Sequence, residues 1–302
     1  MKKVFFILFT CLIGTQVLLA QANLLNAKVP QEVGIQNEQQ VKADNNDPIE
    51  YGFVDDRDIL WSKTVFEVID LNERINFPYY YPTISNGYLS ESRQSLYRVL
   101  IDNIESGDIT EIYTNEYFDE KITFSDLKNI LEASRLTEDG VEKSNAGEEV
   151  TLDDYNTKKI ESGDVIQYRI KGTWYVNKRL GELKYRLLGI APYGPEANGF
   201  LDLNGESAST LPLIPYFWIW FPDARGALNK SKVFNTRNSA QPITFDNMLN
   251  SRRFNSTIYK EENVYEDREV KDYIYEDALR QLLESNRIKA VIRDFEQDLW
   301  NN

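Results

Sequence analysis

The sequence predicts an α+β fold, in which an antiparallel sheet carries peripheral helices and the chain ends in a helical segment. Residues 164–192 are rich in apolar and aromatic side chains on both sides of a glycine turn, which indicates two or three antiparallel strands. Residues 90–108 and 123–134 carry apolar side chains at the spacing of amphipathic helices. Residues 272–300 keep the same spacing, either as one helix or as two pieces that meet near Ser285.

The first 22 residues have the features of a secretory signal peptide. Two lysines precede an uncharged apolar run that ends at Ala20, and the small residues that follow suit cleavage. An uncleaved membrane anchor is the alternative. Residues 23–50 are polar and contain few large apolar side chains, so we expect a flexible leader. Residues 51–302 should then form a single globular domain.

Composition excludes several classes of functional site. The 302 residues include no histidine, and the single cysteine, Cys11, lies within the expected signal peptide. Nucleophile–histidine pairs and the usual zinc and copper sites therefore cannot form in the exported chain. Thr10 stands where a lipoprotein signal needs a small residue, so we expect no lipid on Cys11.

A formal net charge of −14 disfavours nucleic acid and anionic lipid as partners. No apolar run after residue 22 is long enough to span a bilayer.

The remaining segments have patterns of varying clarity. Residues 58–71 fit a short helix that runs into a strand, although the periodicity does not decide between the two. Residues 75–82 bracket three tyrosines with prolines, which predicts an extended segment. Residues 137–159 are polar and acidic, and we expect a loop. Residues 243–254 predict a helix, and residues 256–266 a short strand.

Helix caps and turns are suggested by single residues. Ser90 or Ser92 is suited to cap the first long helix, and Gly107 to end it. Within the predicted strands, turns are expected at Lys171-Gly172 and near Gly181.

The stretch LPLIPYFWIWFP, residues 211–222, is uncharged and dense in aromatic side chains, and it predicts a short, largely buried strand. It is either a core strand that is apolar on both faces or a strand partly covered by another protein, since its three prolines argue against a central position. Strand alternation places Trp218 and Trp220 on one face and the neighbouring phenylalanines on the other. The candidate interface residues are Tyr216, Trp218, Trp220, Phe221 and Arg225.

No pattern of catalytic residues stands out from the background. Ser125 and Lys128 match S-x-x-K, but the partner motifs S-D-N and K-T-G are missing, so an ordinary surface helix is the better interpretation. Residues 55–58 and 202–206 are rich in acids but do not follow the EF-hand ligand pattern. We therefore expect no catalytic residue, metal or cofactor, while a carboxylate-dependent enzyme remains the alternative.

Four motifs occur in a fixed order along the chain and carry a family resemblance. The first is DILWSK followed by EVIDLNERINFPYYYP, the second is WIWFPDARGAL, the third is ITFDNML followed by STIYKEENVY, and the fourth is RIKAVIRDFEQDLW. Together they resemble the gliding motility protein family GldN, called PorN in other bacteria, from about Tyr51 to the C-terminus. One departure is Gln297, where the family often has histidine.

The resemblance implies a non-enzymatic structural subunit of the periplasmic ring of the type IX secretion system of Bacteroidota, needed for protein secretion and gliding. Implied partners are a GldK/PorK-like lipoprotein, the periplasmic region of a GldM/PorM-like protein, and further copies of the chain. The implied location is the periplasm, held to the outer membrane through the lipoprotein. The alternatives are a periplasmic carboxylate-dependent cell-wall hydrolase and a glycan-binding protein.

Overall fold

The computed structural model describes residues 47–84, 93–202, 210–234 and 243–300, with the last two residues as backbone only. The expected signal peptide and the leader up to residue 46 lie outside the described residues. From Pro48 onward the chain forms one compact unit. Among the described residues, no helix is sufficiently long and apolar to cross a bilayer.

Eleven strands are found in the described residues, and they pair in antiparallel fashion. In chain order they are β1 (Ile59–Asp70), β2 (Ile112–Tyr113), β3 (Glu132–Leu136), β4 (Tyr155–Lys159), β5 (Gln167–Asn177), β6 (Glu182–Pro195), β7 (Leu213–Pro215), β8 (Trp218–Trp220), β9 (Lys232–Val233), β10 (Ile243–Thr244) and β11 (Thr257–Glu261).

Nine α-helices accompany these strands in the same residues. They are α1 (Phe77–Tyr80), α2 (Leu96–Ser106), α3 (Phe124–Leu131), α4 (Glu138–Ala146), α5 (Ala197–Asp202), α6 (Phe221–Lys230), α7 (Phe245–Asn250), α8 (Val270–Tyr273) and α9 (Ala278–Trp300).

Seven strands form the main sheet, in the order β11, β1, β5, β6, β8, β2, with β7 also paired to β6. The pairs β9–β10 and β3–β4 form separate two-stranded ribbons. The α+β class, the antiparallel sheet and the C-terminal helix are therefore confirmed.

The main hydrophobic core lies on one face of the sheet. Helices α2, α3, α6 and α7 pack there against sheet residues such as Ile170 and Ile219. A smaller core at the β11 end joins Val65 to Ile288 and Ile292 of α9. Because side chains alternate along a strand, Arg169 and Lys171, the neighbours of Ile170, point to the opposite face.

The turn expected at Lys171-Gly172 is wrong, because β5 continues through both residues. The ladder between β5 and β6 shifts register at this point, and the Tyr185 ring packs over the glycine. A Cβ atom added to Gly172 would lie 2.1 Å from Tyr185 Oη. Gly172 is thus needed for close packing, whereas Gly181, with φ +63°, does form the predicted turn between β5 and β6.

The loop expected over 137–159 is also wrong, since the segment contains α4 and β4. Thr137 caps α4 by accepting a hydrogen bond from Gly140 N, and β4 pairs with β3 along its whole length. The ribbon is largely exposed, so its strands are polar and show no apolar alternation. The preceding helix accordingly ends at Leu131 rather than at 134.

Other boundaries follow from local chemistry. Residues 59–70 are strand throughout. The segment 75–82 is helical up to Tyr80 rather than extended, because its first proline occupies the opening turn of α1, and it becomes extended at Tyr81. Helix α7 ends earlier than predicted, at Asn250, while the short strand expected in 256–266 is confirmed as β11.

The two ends of α2 can be compared with the predicted capping residues. Ser95 caps α2 by accepting from Arg98 N, while Ser90 and Ser92 lie outside the described residues. Gly107 ends α2 in the left-handed conformation, as predicted. Helix α9 runs without a break through Ser285, whose hydroxyl accepts a hydrogen bond from Ile258 N of β11.

Candidate functional site

The aromatic stretch 211–222 forms β7, β8 and the first turn of α6. The strand predicted to reach Phe221 stops at Trp220 because Pro222 occupies the first turn of α6, where its fixed φ favours a helix. Asp223, in the same turn, accepts hydrogen bonds from Thr110 N at 2.7 Å and Glu111 N at 2.9 Å. These contacts fasten the start of α6 to the segment before β2.

Tyr216 and Phe221 are buried in the main core. The Tyr216 hydroxyl donates to the carbonyl of Pro195 at 2.9 Å, and burial raises the pKa of this tyrosine. Gly194 leaves room for the Tyr216 ring, because a Cβ there would lie 2.2 Å from Tyr216 Oη. Neither Tyr216 nor Phe221 offers surface to another protein in this structure.

Trp218 and Trp220 lie on the opposite face of the sheet. Trp218 is 1 % exposed, whereas Trp220 is only partly buried. The Phe118 ring meets both indoles edge-on, at centroid distances of 6.3 Å and 5.0 Å. Phe118 reaches this position from a backbone with φ 61°, and Gly189 admits it, since a Cβ there would lie 2.5 Å from Phe118 Cζ. Among these aromatic residues, Trp220 alone combines strand placement with accessible surface.

Arg225 is a buried anchor for the start of the domain. Its guanidinium pairs with Asp246 at 2.9 Å and donates to the carbonyl of Ile49 at 2.6 Å. The Tyr51 ring stacks on it at 4.0 Å, and the Tyr51 hydroxyl donates to Asn250 at 2.6 Å. Burial raises the pKa of Tyr51. Arg225 therefore fixes residues 49–51 against α6 and α7.

Beside Trp218, cations alternate with aromatic rings across the sheet. We refer to this surface as the cation–aromatic face. The Arg169 guanidinium lies 4.2 Å from the Tyr193 ring centroid and 4.5 Å from that of Tyr259. Lys171 and Lys260 approach the Phe66 ring at 5.3 Å and 4.4 Å. The face is made of Phe66, Arg169, Lys171, Tyr193, Tyr259 and Lys260.

Glu116, from the loop after β2, contacts two of these cations, and Glu269 lies 3.8 Å from the third, Arg169. Glu116 pairs with Lys260 and accepts from the Tyr259 hydroxyl at 3.1 Å, while its carbonyl accepts from Lys171 at 3.0 Å. Burial lowers the pKa of Lys171. Burial acts in the same direction on Lys260, but hydrogen bonds to Glu116 and Tyr117 outweigh it, so the pKa of Lys260 is raised.

Sequence reasoning did not find the cation–aromatic face. The sequence feature that could have revealed it is the spacing of Arg169 and Lys171. They lie two positions apart in one strand, so both side chains point to the face opposite the main core. Phe118 and Glu116 come from a loop with no pattern. Phe66, Tyr193 and Lys260 are buried within this face, and the partly accessible side chains Trp220 and Tyr117 lie at its rim.

The residues considered for catalysis have ordinary structural places. Ser125 and Lys128 are exposed on α3, and Lys128 Nζ lies 4.8 Å from the Phe124 ring centroid. Asp58 and Asp202, from the two acidic segments, pair with Arg179 and Arg135. Within the described ranges no group of three or more acidic side chains is placed to hold a metal ion.

A groove of about 640 Å³ lies between α2, α3 and the base of the β3–β4 ribbon. Equal numbers of acidic and basic side chains line it, and two pairs form among them: Arg98 with Asp102 at 2.8 Å, and Lys159 with Glu132 at 3.0 Å. Lys128 also borders the groove. This charge balance favours no single class of small ligand.

Comparison with known proteins gives one family. The model of the family described as "Gliding motility associated protein GldN" matches residues 54–301. No curated protein matches the chain.

Proposed function

Since this chain belongs to the GldN family of gliding motility associated proteins, we propose that it is a non-enzymatic structural subunit of the periplasmic ring of the type IX secretion system. In this role it is exported to the periplasm, is held at the outer membrane by a GldK/PorK-like lipoprotein, and contacts the periplasmic region of a GldM/PorM-like protein. Copies of the chain assemble into the ring that supports protein secretion and gliding.

The family match carries this proposal, because it extends over residues 54–301 and so includes every strand and helix described above. Residues in the four sequence motifs also hold the fold together. Asp223 fastens α6, and Arg225 anchors residues 49–51. Glu67 of β1 forms an ion pair with Arg252 at 2.6 Å. These residues of the motifs thus stabilise the folded domain.

Within the predicted interface, Trp220 is the residue that fits contact with a partner. It lies partly exposed at the rim of the cation–aromatic face, near Phe118. Interface centres favour tryptophan and tyrosine, and large apolar surface is rarely left in water. We propose that the lipoprotein partner covers Trp220 and the neighbouring rim.

Gene deletion with complementation tests the function. The deletion strain should lose export of cargo that carries a C-terminal sorting domain, and the intact chain should restore it. Export at the parental level in the deletion strain would overturn the proposal. Loss of export together with release of cell-wall fragments by the purified chain would instead support the hydrolase alternative.

A further inference from the structure

Helix α9 presents apolar side chains on two opposite faces. Its inner face is fixed to the sheet: Ile288 and Ile292 are buried, and Phe295 stacks on Trp61 at 4.7 Å. Polar contacts reinforce this attachment, since Lys289 donates to the carbonyl of Ser256. The position of α9 on the sheet is therefore well defined, and its outer face is a fixed surface.

The outer face carries a leucine stripe, which we define as Leu279, Leu282 and Leu283 with Tyr275 just upstream. The leucines are 66 %, 45 % and 58 % exposed, and the tyrosine 79 %. Positions three and four apart on a helix are neighbours, so the three leucines form one continuous patch rather than scattered contacts. Contiguous apolar patches of this kind mark contact sites between proteins.

The charges at the two ends of the leucine stripe have opposite signs. Glu276 and Asp277 precede it, whereas Arg287 follows it one helical turn after Leu283. Arg293, further along, pairs with its neighbour Asp294. Asp277, the residue before α9, pairs with Arg280, and Arg287 pairs with Glu284. The Asp277–Arg280 pair is exposed and contributes little, and the Arg287 side chain stays 57 % exposed beside Glu284, so both residues remain accessible to a second partner.

We propose that the leucine stripe is a self-association site, in which α9 packs antiparallel against α9 of a second copy about a twofold axis near Leu282 and Leu283. This arrangement covers leucine with leucine and brings the acidic start of one stripe beside Arg287 of the other. A parallel arrangement would put acid against acid and base against base. A twofold contact uses the same patch on both copies, as an isologous interface requires.

The inference deepens the proposed structural role, because a dimer made through α9 is a building block for a larger assembly. The inference depends on the proposed function only for the place and assembly in which the dimer would act in the cell. Association of the purified chain and export of cargo are separate measurements, so either proposal can fail without the other.

Analytical ultracentrifugation of the purified exported chain tests the leucine stripe. The chain should show a concentration-dependent dimer, and Leu282→Glu or Leu283→Glu should weaken association by about 30-fold or more. Leu180→Glu is the matched control, because Leu180 is 56 % exposed in the turn between β5 and β6 and is not part of the leucine stripe. A wild-type chain that remains monomeric, or equal dissociation constants for Leu282→Glu and Leu180→Glu, would overturn the proposal.

Single-cysteine crosslinking tests the direction of packing, since the exported chain is expected to contain no other cysteine. In the antiparallel pair Leu282→Cys lies near the axis and should form a disulfide with its copy. Leu279→Cys should not, because its copy lies roughly 10 Å away along the helix. Equal crosslinking at both positions would contradict antiparallel pairing. Arg287→Glu should weaken association, and adding Glu276→Lys with Asp277→Lys should restore it.

Discussion

Trp218 and Trp220 are two residues apart in sequence but differ in burial, since Phe118 and the sheet cover Trp218 fully and Trp220 only in part. We expect Trp218→Ala to lower the free energy of unfolding by about 3–5 kcal/mol, the cost of emptying a large core site. The Trp220→Ala variant should have a melting temperature much closer to that of wild type, and it should bind the partner more weakly.

Thermal melting alongside pull-down of the lipoprotein checks both changes, with Trp218→Ala as the internal control for loss of fold. Normal melting and normal binding for Trp220→Ala would remove Trp220 from the interface.

Sequence reasoning identified the aromatic stretch but could not assign its residues to surfaces. Alternation alone separates Trp218 from Phe221, yet it cannot reveal that Phe118, a hundred residues earlier, covers Trp218. Arg225 resembled an interface residue because arginine is common in interfaces. Its buried pairing with Asp246 and Ile49 depends on long-range contacts that no local pattern encodes.

At the scale of elements, the β5–β6 hairpin depends on a glycine inside a strand. Gly172→Ala should destabilise the protein by about 1–3 kcal/mol, because the added Cβ meets the Tyr185 ring within a well-packed core. Gly226→Ala is the matched control, since open space surrounds this helical glycine and alanine there should stabilise by up to about 1 kcal/mol. Chemical denaturation measures both changes, and an unchanged midpoint for Gly172→Ala would show that the hairpin adapts.

The β3–β4 ribbon should respond to acid through Asp154 at its tip. A hydrogen bond from Lys143 at 2.5 Å, followed by one from Thr151 N, lowers the pKa of this carboxyl from its usual 3.8 to about 2. A depressed folded-state pKa stabilises the protein above 3.8, and this contribution fades as pH falls toward 2.

Asp154→Asn should therefore weaken α4 and the ribbon tip at pH 6 but differ less from wild type at pH 3. Hydrogen exchange of the α4 amides at the two pH values reports the effect. An equal difference at both values would assign the loss to something other than the carboxylate charge.

Elements with strong local signals were predictable, and elements held by pairing were not. Gly107 and the apolar spacing of α2 identify that helix from sequence alone. The polar strand β4 has no recognisable sequence pattern, because its pairing with β3 leaves most of its side chains in solvent. The sequence predicts a strand up to Pro222, although a proline at this position also favours the start of a helix.

For the molecule as a whole, the proposed structural role requires no catalytic side chain. We expect Ser125→Ala and Lys128→Ala to leave cargo export unchanged, since both side chains are exposed on α3. Quantifying secreted cargo in complemented deletion strains checks this, with immunoblots to verify equal protein levels. Loss of export at normal level and fold would revive the enzymatic alternative.

The most direct test of the structural role is affinity purification of the tagged chain from the cell envelope, followed by electron microscopy of the purified material. We expect the chain in a large ring-shaped assembly together with a lipoprotein, and we expect Trp220→Ala to reduce the recovered lipoprotein. Recovery of the chain as a free monomer from the periplasmic fraction, in cells that export cargo normally, would contradict the proposed function.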